Sequence, residues 1–158
     1  MMLPDHYPQF FTATILEWKH LLKPGKYKEL IASSLHFLIQ DKRVVVYGFV
    51  FMSNHIHLVW QIQPGHKRED VQRDFLKYTA QKMKQDLENN HPQVLVNFLV
   101  NAKDRKYQVW ERNPLSVDLW SREGDLSGKF FLFQFFVKVT PKKSLLFILQ
   151  SKSISAQS

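Results

Sequence analysis

The stretch Ser53–Ile62 alternates between two kinds of side chain, and this alternation is the strongest constraint on the fold. Successive side chains of a β-strand point to opposite faces of the sheet. One face of the stretch is wholly apolar and is predicted to cover the core; it carries Ile56, Leu58, Trp60 and Ile62. The opposite face carries His55, His57, Val59 and Gln61. The pattern therefore places two imidazoles side by side, on the face away from the core.

That spacing lets both imidazoles reach one divalent metal ion or one phosphate. Histidine is also common on strand surfaces, so the spacing alone is weak evidence for a metal site. The preceding run Val44–Met52 strengthens it, because this run is apolar enough to be a buried strand. Ser53-Asn54 would then be the turn of a hairpin. A His pair held by a buried neighbouring strand has the rigidity that a functional site needs.

The rest of the chain predicts a small α+β fold. A first strand is predicted at Phe10–Leu16, and apolar residues recur at helical spacing from Lys26 to Gln40 and from Arg68 to about Asn89. Val94–Val100 is ambiguous between helix and strand, and Tyr107–Trp110 is a candidate last strand. The order strand–helix–strand–strand–helix–strand predicts an antiparallel sheet with two helices packed on one face, ferredoxin-like or RRM-like.

The composition limits the classes of protein that fit. The 158 residues are enough for one domain with a real core, and 44% hydrophobic and 23% charged residues are typical of a soluble globular protein. The net charge of +8 favours an anionic partner, nucleic acid first. The absence of cysteine excludes disulfides, thiolate zinc sites and cysteine nucleophiles. With no signal-peptide pattern and no apolar run of membrane-spanning length, a cytoplasmic protein is expected.

Two groups of residues are candidates for binding nucleic acid. The second helix carries Arg73, Lys77 and Lys82 outside its apolar stripe, where they can meet phosphates; a solvated helix face is an equally good explanation. Trp110 and Arg112 pair an aromatic ring with a guanidinium, a combination that can stack bases and bind phosphate. A buried tryptophan beside a solvated arginine is the commoner arrangement.

The segment Phe49–Trp60, which contains Ser-Asn-His-Ile-His, resembles the HUH signature of single-tyrosine transposases, in particular the REP-associated branch. In that family two histidines flank a bulky apolar residue. The resemblance extends from about Phe10 to Glu123, and it includes Lys77–Gln81 and Trp110-Glu-Arg112. It therefore divides the chain into a transposase-like domain at residues 1–123 and an atypical tail at residues 124–158.

The resemblance implies cleavage and rejoining of single-stranded or hairpin DNA, without ATP. His55 and His57 would bind Mg²⁺ or Mn²⁺, with Gln61 or Gln81 as third ligand. Because imidazole is a borderline ligand, Mn²⁺ should bind more tightly than Mg²⁺. A tyrosine would attack the phosphate and form a 5′-phosphotyrosine. A homodimer is compatible with the family likeness.

The sequence departs from the family where the catalytic tyrosine is expected. No tyrosine follows Tyr107, and the chain continues from Gly124 with a phenylalanine-rich run and a Lys/Ser-rich end. We interpret this segment as a substituted tail, as a frameshift or a disrupted element would produce. Tyr78 is then the remaining candidate nucleophile, although it also fits the apolar edge of its helix as a packing residue. If Tyr78 is structural, the chain keeps metal and DNA binding and has lost cleavage.

Two other functions compete with the transposase. A non-catalytic single-stranded nucleic-acid-binding module would stack bases on Trp60 or Tyr47 and would need no metal. A metal-dependent hydrolase would need carboxylates near the His pair, and the His strand has none. Metal dependence of DNA cleavage distinguishes the first alternative from a transposase.

Overall fold

The structure is a computed structural model, and it describes residues 7–119. Four antiparallel strands form a single sheet in the spatial order β2-β3-β1-β4. The strands are β1 (Pro8–Thr14), β2 (Val44–Phe51), β3 (His55–Ile62) and β4 (Leu115–Asp118). The helices are α1 (Gly25–Gln40), α2 (Arg68–Asn90) and the short α3 (Pro92–Leu95). The predicted α+β class and antiparallel sheet are confirmed.

The core lies between the sheet and its helices, on the face that the alternation of β3 predicts. Ile56, Leu58, Trp60 and Ile62 are all at most 1% exposed. The ring of Phe75, from α2, meets the ring of Trp60 edge to face at 5.8 Å. Helix α1 buries Tyr27, Ile31, Leu35 and Leu38 against the same core. Both long helices therefore cover the Trp60 face of the sheet, and the His face lies on the other side.

Local sequence explains where the long helices begin and end. Pro24 stands before the first residue of α1, where its fixed φ is compatible with helix entry. In α2, Glu69 and Asp70 occupy the first turn, where carboxylates interact favourably with the helix dipole. Pro92 disfavours helical geometry at His91, and α2 ends at Asn90. Pro92 then opens α3 at a position where its missing N–H costs nothing.

The structure moves one predicted strand and resolves one ambiguous segment. Strand β1 spans Pro8–Thr14 rather than Phe10–Leu16, because a 3₁₀ turn at Leu16–Trp18 follows it. The ambiguous segment after α2 is helical over α3 and a 3₁₀ turn at Val96–Phe98.

The last strand is β4, not the predicted Tyr107–Trp110. Tyr107 and Trp110 form only isolated bridges, to Leu99 and Ile15 respectively. Strand β4 is a short edge strand with weak alternation and was not detectable from its sequence. The predicted tail at residues 124–158 lies outside the described residues, so that domain boundary stays a prediction.

No helix within residues 7–119 combines the length and apolar character needed to cross a bilayer.

Candidate functional site

His55 and His57 project from β3 on the face opposite the core, as the alternation predicts. Their neighbours Ile56 and Leu58 are fully buried, while both histidines are half-buried. The two ring centroids are 4.7 Å apart and the ring planes meet at 76°. The rings are therefore in direct contact, and one small ligand can touch both.

The imidazole of His55 is held by the residue before it. Its Nδ1 lies 2.7 Å from Asn54 Oδ1. A carboxamide oxygen only accepts hydrogen bonds, so His55 Nδ1 carries the proton and donates it. In the neutral ring, Nε2 is then the nitrogen with a free lone pair. Asn54 is itself anchored to the end of β1, because Ile15 N donates to Asn54 O at 2.8 Å.

The imidazole of His57 is held by its neighbours on β1. Thr12 lies directly opposite His57 in the strand register, and Thr12 Oγ1 is 2.7 Å from His57 Nδ1. The ring of Phe10 stacks on His57 with centroids 5.3 Å apart. A hydroxyl can donate or accept, so this bond fixes the orientation of the ring and leaves its tautomer free. A ligand on Nε2 would select the tautomer in which Nδ1 donates to Thr12.

Partial burial favours the uncharged form of both rings. Burial, together with repulsion from the neighbouring His55, lowers the pKa of His57 to about 4. Burial also lowers the pKa of His55 below its usual value. A neutral imidazole is the form that binds metal ions.

The hydrogen bonds of the two imidazoles are of the kind that metal-binding histidines make, so the pair fits a divalent metal ion. Metal-ligating histidines usually donate their second ring N–H to an oxygen, which orients the ring and raises its basicity. Both rings here have an oxygen at Nδ1 and keep Nε2 for a ligand. Among residues 7–119 no group of three or more His, Asp or Glu side chains could hold a metal. Within residues 7–119, His55 and His57 are therefore the candidate metal ligands.

Neither predicted third ligand is brought to the pair. Gln61 shares the His face, but it lies four residues beyond His57, roughly 13 Å along the strand. Its Oε1 accepts a hydrogen bond from the Tyr47 hydroxyl at 2.6 Å. Gln81 lies on α2 and is exposed, two residues from the buried Thr79 and so on the outer side of the helix.

Tyr78 is also separated from the His pair, by the sheet itself. It belongs to α2, which packs on the Trp60 face. Its side chain, 48% exposed, lines a groove between α1 and α2 together with Phe37 and Leu38. Tyr78 thus lies beside the buried stripe of α2, on the helix side of the sheet and away from the His pair.

The sheet divides the predicted DNA-binding residues into two groups. Arg73, Lys77 and Lys82 lie on α2, and the Arg73 guanidinium is paired with Asp70 and Asp74.

Trp110 is 6% exposed, and its Nε1 donates to Thr79 Oγ1 at 3.0 Å. This corrects its predicted role in stacking, because a buried ring has no free face. Trp60, the alternative stacking residue, is fully buried as well, whereas Tyr47 is 47% exposed.

Arg112 is better placed. Its neighbour Glu111 donates its backbone N–H to Thr14 O at 2.8 Å, and Thr14 lies opposite His55 in the register. The guanidinium is exposed, and its nearest carboxylate, on Asp104, is 3.8 Å away. Arg112 is thus next in sequence to a residue that is hydrogen-bonded to the end of β1 opposite His55.

Sequence reasoning missed three residues around the histidines: Thr12, Asn54 and Trp18. The signal for Asn54 was present, because it directly precedes His55, but it was interpreted only as a turn residue. Thr12 and Trp18 come near the histidines through strand pairing and a backbone turn. A single sequence carries no signal for either.

Comparison with known proteins shows similarity of fold to solved structures. No protein-family model and no curated protein matches the sequence. Among solved structures, a candidate transposase of Deinococcus radiodurans R1 is similar to this chain, with a TM-score of 0.50 and 11% sequence identity. The match covers 87% of this chain and 95% of the Deinococcus chain. A REP-associated tyrosine transposase bound to a REP hairpin matches 74% of this chain, with a TM-score of 0.48 and 14% identity. This chain spans 58% of that second protein. The similarity to the Deinococcus radiodurans protein is one of fold.

Proposed function

We propose that the protein binds single-stranded or hairpin DNA through a divalent metal ion held by His55 and His57. The observation that carries the proposal is the contact between the two imidazoles, each with an oxygen at Nδ1. A bound cation of this kind would polarise a phosphate and offset its charge. Mn²⁺ is expected to bind more tightly than Mg²⁺, because imidazole is a borderline ligand.

The protein's own residues would orient the DNA and exclude water. Phe10, Val50, Met52 and Val59 form an apolar cluster on the same face as the pair. A phosphate at the histidines would meet low-dielectric surface there, which strengthens its electrostatic interactions. Arg112 is the proposed cation for a neighbouring phosphate. A cytoplasmic location remains a prediction from the sequence pattern, and a homodimer remains a prediction from the resemblance.

We further propose that the chain does not supply its own tyrosine nucleophile. All five tyrosines fall within residues 7–119. Tyr27, Tyr78 and Tyr107 are on the helix side: Tyr27 bonds to Asp86 of α2, Tyr78 belongs to α2, and Lys84 of α2 lies over the Tyr107 ring. Tyr47 is bonded to Gln61 at the far end of β3. Tyr7 precedes Pro8, which pairs with Gln61.

Metal binding tests the first part of the proposal. Titration with Mn²⁺, followed by electron paramagnetic resonance, should show saturable binding to the parent protein and none to His55→Ala/His57→Ala. His36→Ala is the matched control, because His36 is an exposed histidine of α1 and should leave binding unchanged. Mn²⁺ should also raise the affinity for labelled single-stranded DNA. Equal DNA affinity with Mn²⁺ and with chelator would instead favour the metal-free nucleic-acid-binding module.

Covalent adduct formation tests the second part. The protein is incubated with Mn²⁺ and end-labelled single-stranded or hairpin DNA, then separated on a denaturing gel. We expect DNA binding without a protein–DNA adduct. An adduct that disappears in Tyr78→Phe would contradict this part and would restore Tyr78 as the nucleophile.

A further inference from the structure

Trp18 is a large aromatic side chain left in solvent beside the His pair. It is 61% exposed, the largest exposed fraction among the large hydrophobic residues of the described chain. Its ring centroid lies 5.7 Å from that of His55, with the planes at 65°. Exposed Trp is the kind of residue that marks binding surfaces, because its ring presents a large area at little cost in side-chain entropy.

The backbone that presents Trp18 is held in an unusual conformation. Glu17 and Trp18 both have positive φ, 53° and 57°, which is uncommon for residues other than glycine. Such a conformation persists only where surrounding contacts enforce it, and it is frequent at ligand sites. Here Glu17 N donates to Glu111 Oε1 at 2.6 Å, and Leu16 N donates to Val109 O at 2.8 Å.

Asn54 connects the position of Trp18 to that of His55. Its Nδ2 donates to Trp18 O at 3.4 Å, while its Oδ1 accepts from His55 Nδ1. One carboxamide therefore contacts both the turn with the exposed indole and the first imidazole. The indole and the proposed phosphate-binding site are adjacent, and their spacing is comparable to the size of one nucleotide.

We propose that Trp18 is a stacking platform for an unpaired nucleobase whose phosphate lies at the His pair. This inference rests on the proposed function. The occupant is a single-stranded nucleic acid, because the chain carries a net charge of +8 and the platform adjoins a site suited to phosphate. Stacking on an aromatic ring accepts any base, so Trp18 would contribute affinity for unpaired strands without selecting a sequence. In a base-paired duplex the base faces are already stacked, and this contribution is lost.

The test compares Trp18→Ala and Trp18→Tyr with the parent protein, using an oligonucleotide of about ten nucleotides in Mn²⁺. Trp18→Ala should weaken binding roughly 5- to 150-fold, the range for loss of one stacked base. Trp18→Tyr keeps an aromatic face and should stay within a few-fold of the parent. Phe37→Ala is the matched control, because Phe37 is 60% exposed but lines the groove between α1 and α2.

An abasic oligonucleotide of the same length separates stacking from a structural effect. The parent protein and Trp18→Ala should bind it equally, since it has no base to stack. Equal binding of both proteins to the base-containing strand would overturn the inference, as would a Trp18→Ala defect that persists on the abasic strand. A parent protein that binds neither strand would overturn the proposed function as well, and Mn²⁺ titration of the same samples shows whether the metal site survives.

Discussion

Each imidazole of the candidate site has one oxygen atom at its Nδ1. Asn54 Oδ1 and Thr12 Oγ1 each lie 2.7 Å from an Nδ1 atom, one on His55 and the other on His57. Asn54 is adjacent in sequence, whereas Thr12 is 45 residues away and arrives through strand pairing. The ring orientations of His55 and His57 therefore depend on Asn54 and Thr12, which are not candidate metal ligands.

Thr12→Val should weaken metal binding because it removes the oxygen at His57 Nδ1 and keeps the shape of the side chain. Loss of such a partner typically lowers metal affinity by roughly 10- to 100-fold. Mn²⁺ titration measures the change. The control is Thr14→Val, which alters the residue opposite His55 on the same strand face. Equal affinities for the two variants would show that the Thr12 bond does not support the site.

The lowered pKa of His57 predicts an acid-sensitive contribution to stability in the metal-free protein. Its pKa of about 4 lies below the usual value of 6.5, so between these values the unfolded chain binds more protons than the folded one. Stability should therefore fall as the pH is lowered from 6.5 towards 4. Urea unfolding in chelator measures this. The advantage of the parent protein over His57→Gln should shrink across that window, and a constant difference would contradict the assignment.

Among the elements of the fold, β3 has one apolar face and one face that carries the candidate site. Its core face is covered by α1 and α2, and its His face carries the candidate site. Helix α2 is attached to the segment after α3 through Trp110, whose Nε1 donates to Thr79 Oγ1. Thr79 is fully buried and also donates to Phe75 O at 3.0 Å. This hydrogen bond positions the segment from which Arg112 extends.

Thr79→Val should destabilise the fold because it leaves the buried indole N–H of Trp110 without an acceptor. The cost of such an unpaired group is about 1–3 kcal/mol in the free energy of unfolding. Chemical denaturation measures it. Thr79→Ser keeps the oxygen and should lose less. A Ser variant less stable than the Val variant would show that the methyl group, not the hydrogen bond, is the important part of Thr79.

At the scale of the whole molecule, the positive charge is spread over both sides of the sheet. Lys77 and Lys82 lie on α2, on the side of the sheet that the helices cover. Arg112 is next to Glu111, which is hydrogen-bonded to the end of β1 opposite His55. We expect a short strand bound at the His pair to contact Arg112, whereas the sheet separates the pair from α2. Charge alone therefore does not identify the DNA-binding surface.

Arg112→Gln should weaken the binding of a short single strand and reduce its dependence on salt. Loss of one phosphate contact lowers the slope of log K against log salt by about 0.7 for single-stranded DNA. Lys77→Gln/Lys82→Gln is the control and should change the affinity by less than about twofold, despite removing two charges. Fluorescence anisotropy over a range of salt concentrations measures both. A larger effect from the lysine pair would place the DNA along α2.

Much of the fold was predictable because it follows from local patterns. Alternation identified β3 and its two faces, helical spacing identified α1 and α2, and their order predicted the antiparallel sheet. Strand β4 was missed because a short edge strand has little apolar pattern. The burial of Trp110 was not predictable, because it depends on a contact with Thr79 of α2, thirty-one residues away. Its role in DNA binding was predicted from the neighbouring Arg112 alone.

The placement of His55 and His57 on one face, opposite the core, follows from the amino-acid pattern, because alternation is a property of the strand. The residues that surround the two histidines follow from contacts between distant segments. The pairing of β1 with β3 brings Thr12 and Phe10 to His57, and the turn after β1 brings Trp18 to His55. The packing of α2 on the opposite face removes Tyr78 and Gln81 from the pair. Contacts between distant segments depend on which faces bury together, and no local pattern encodes them.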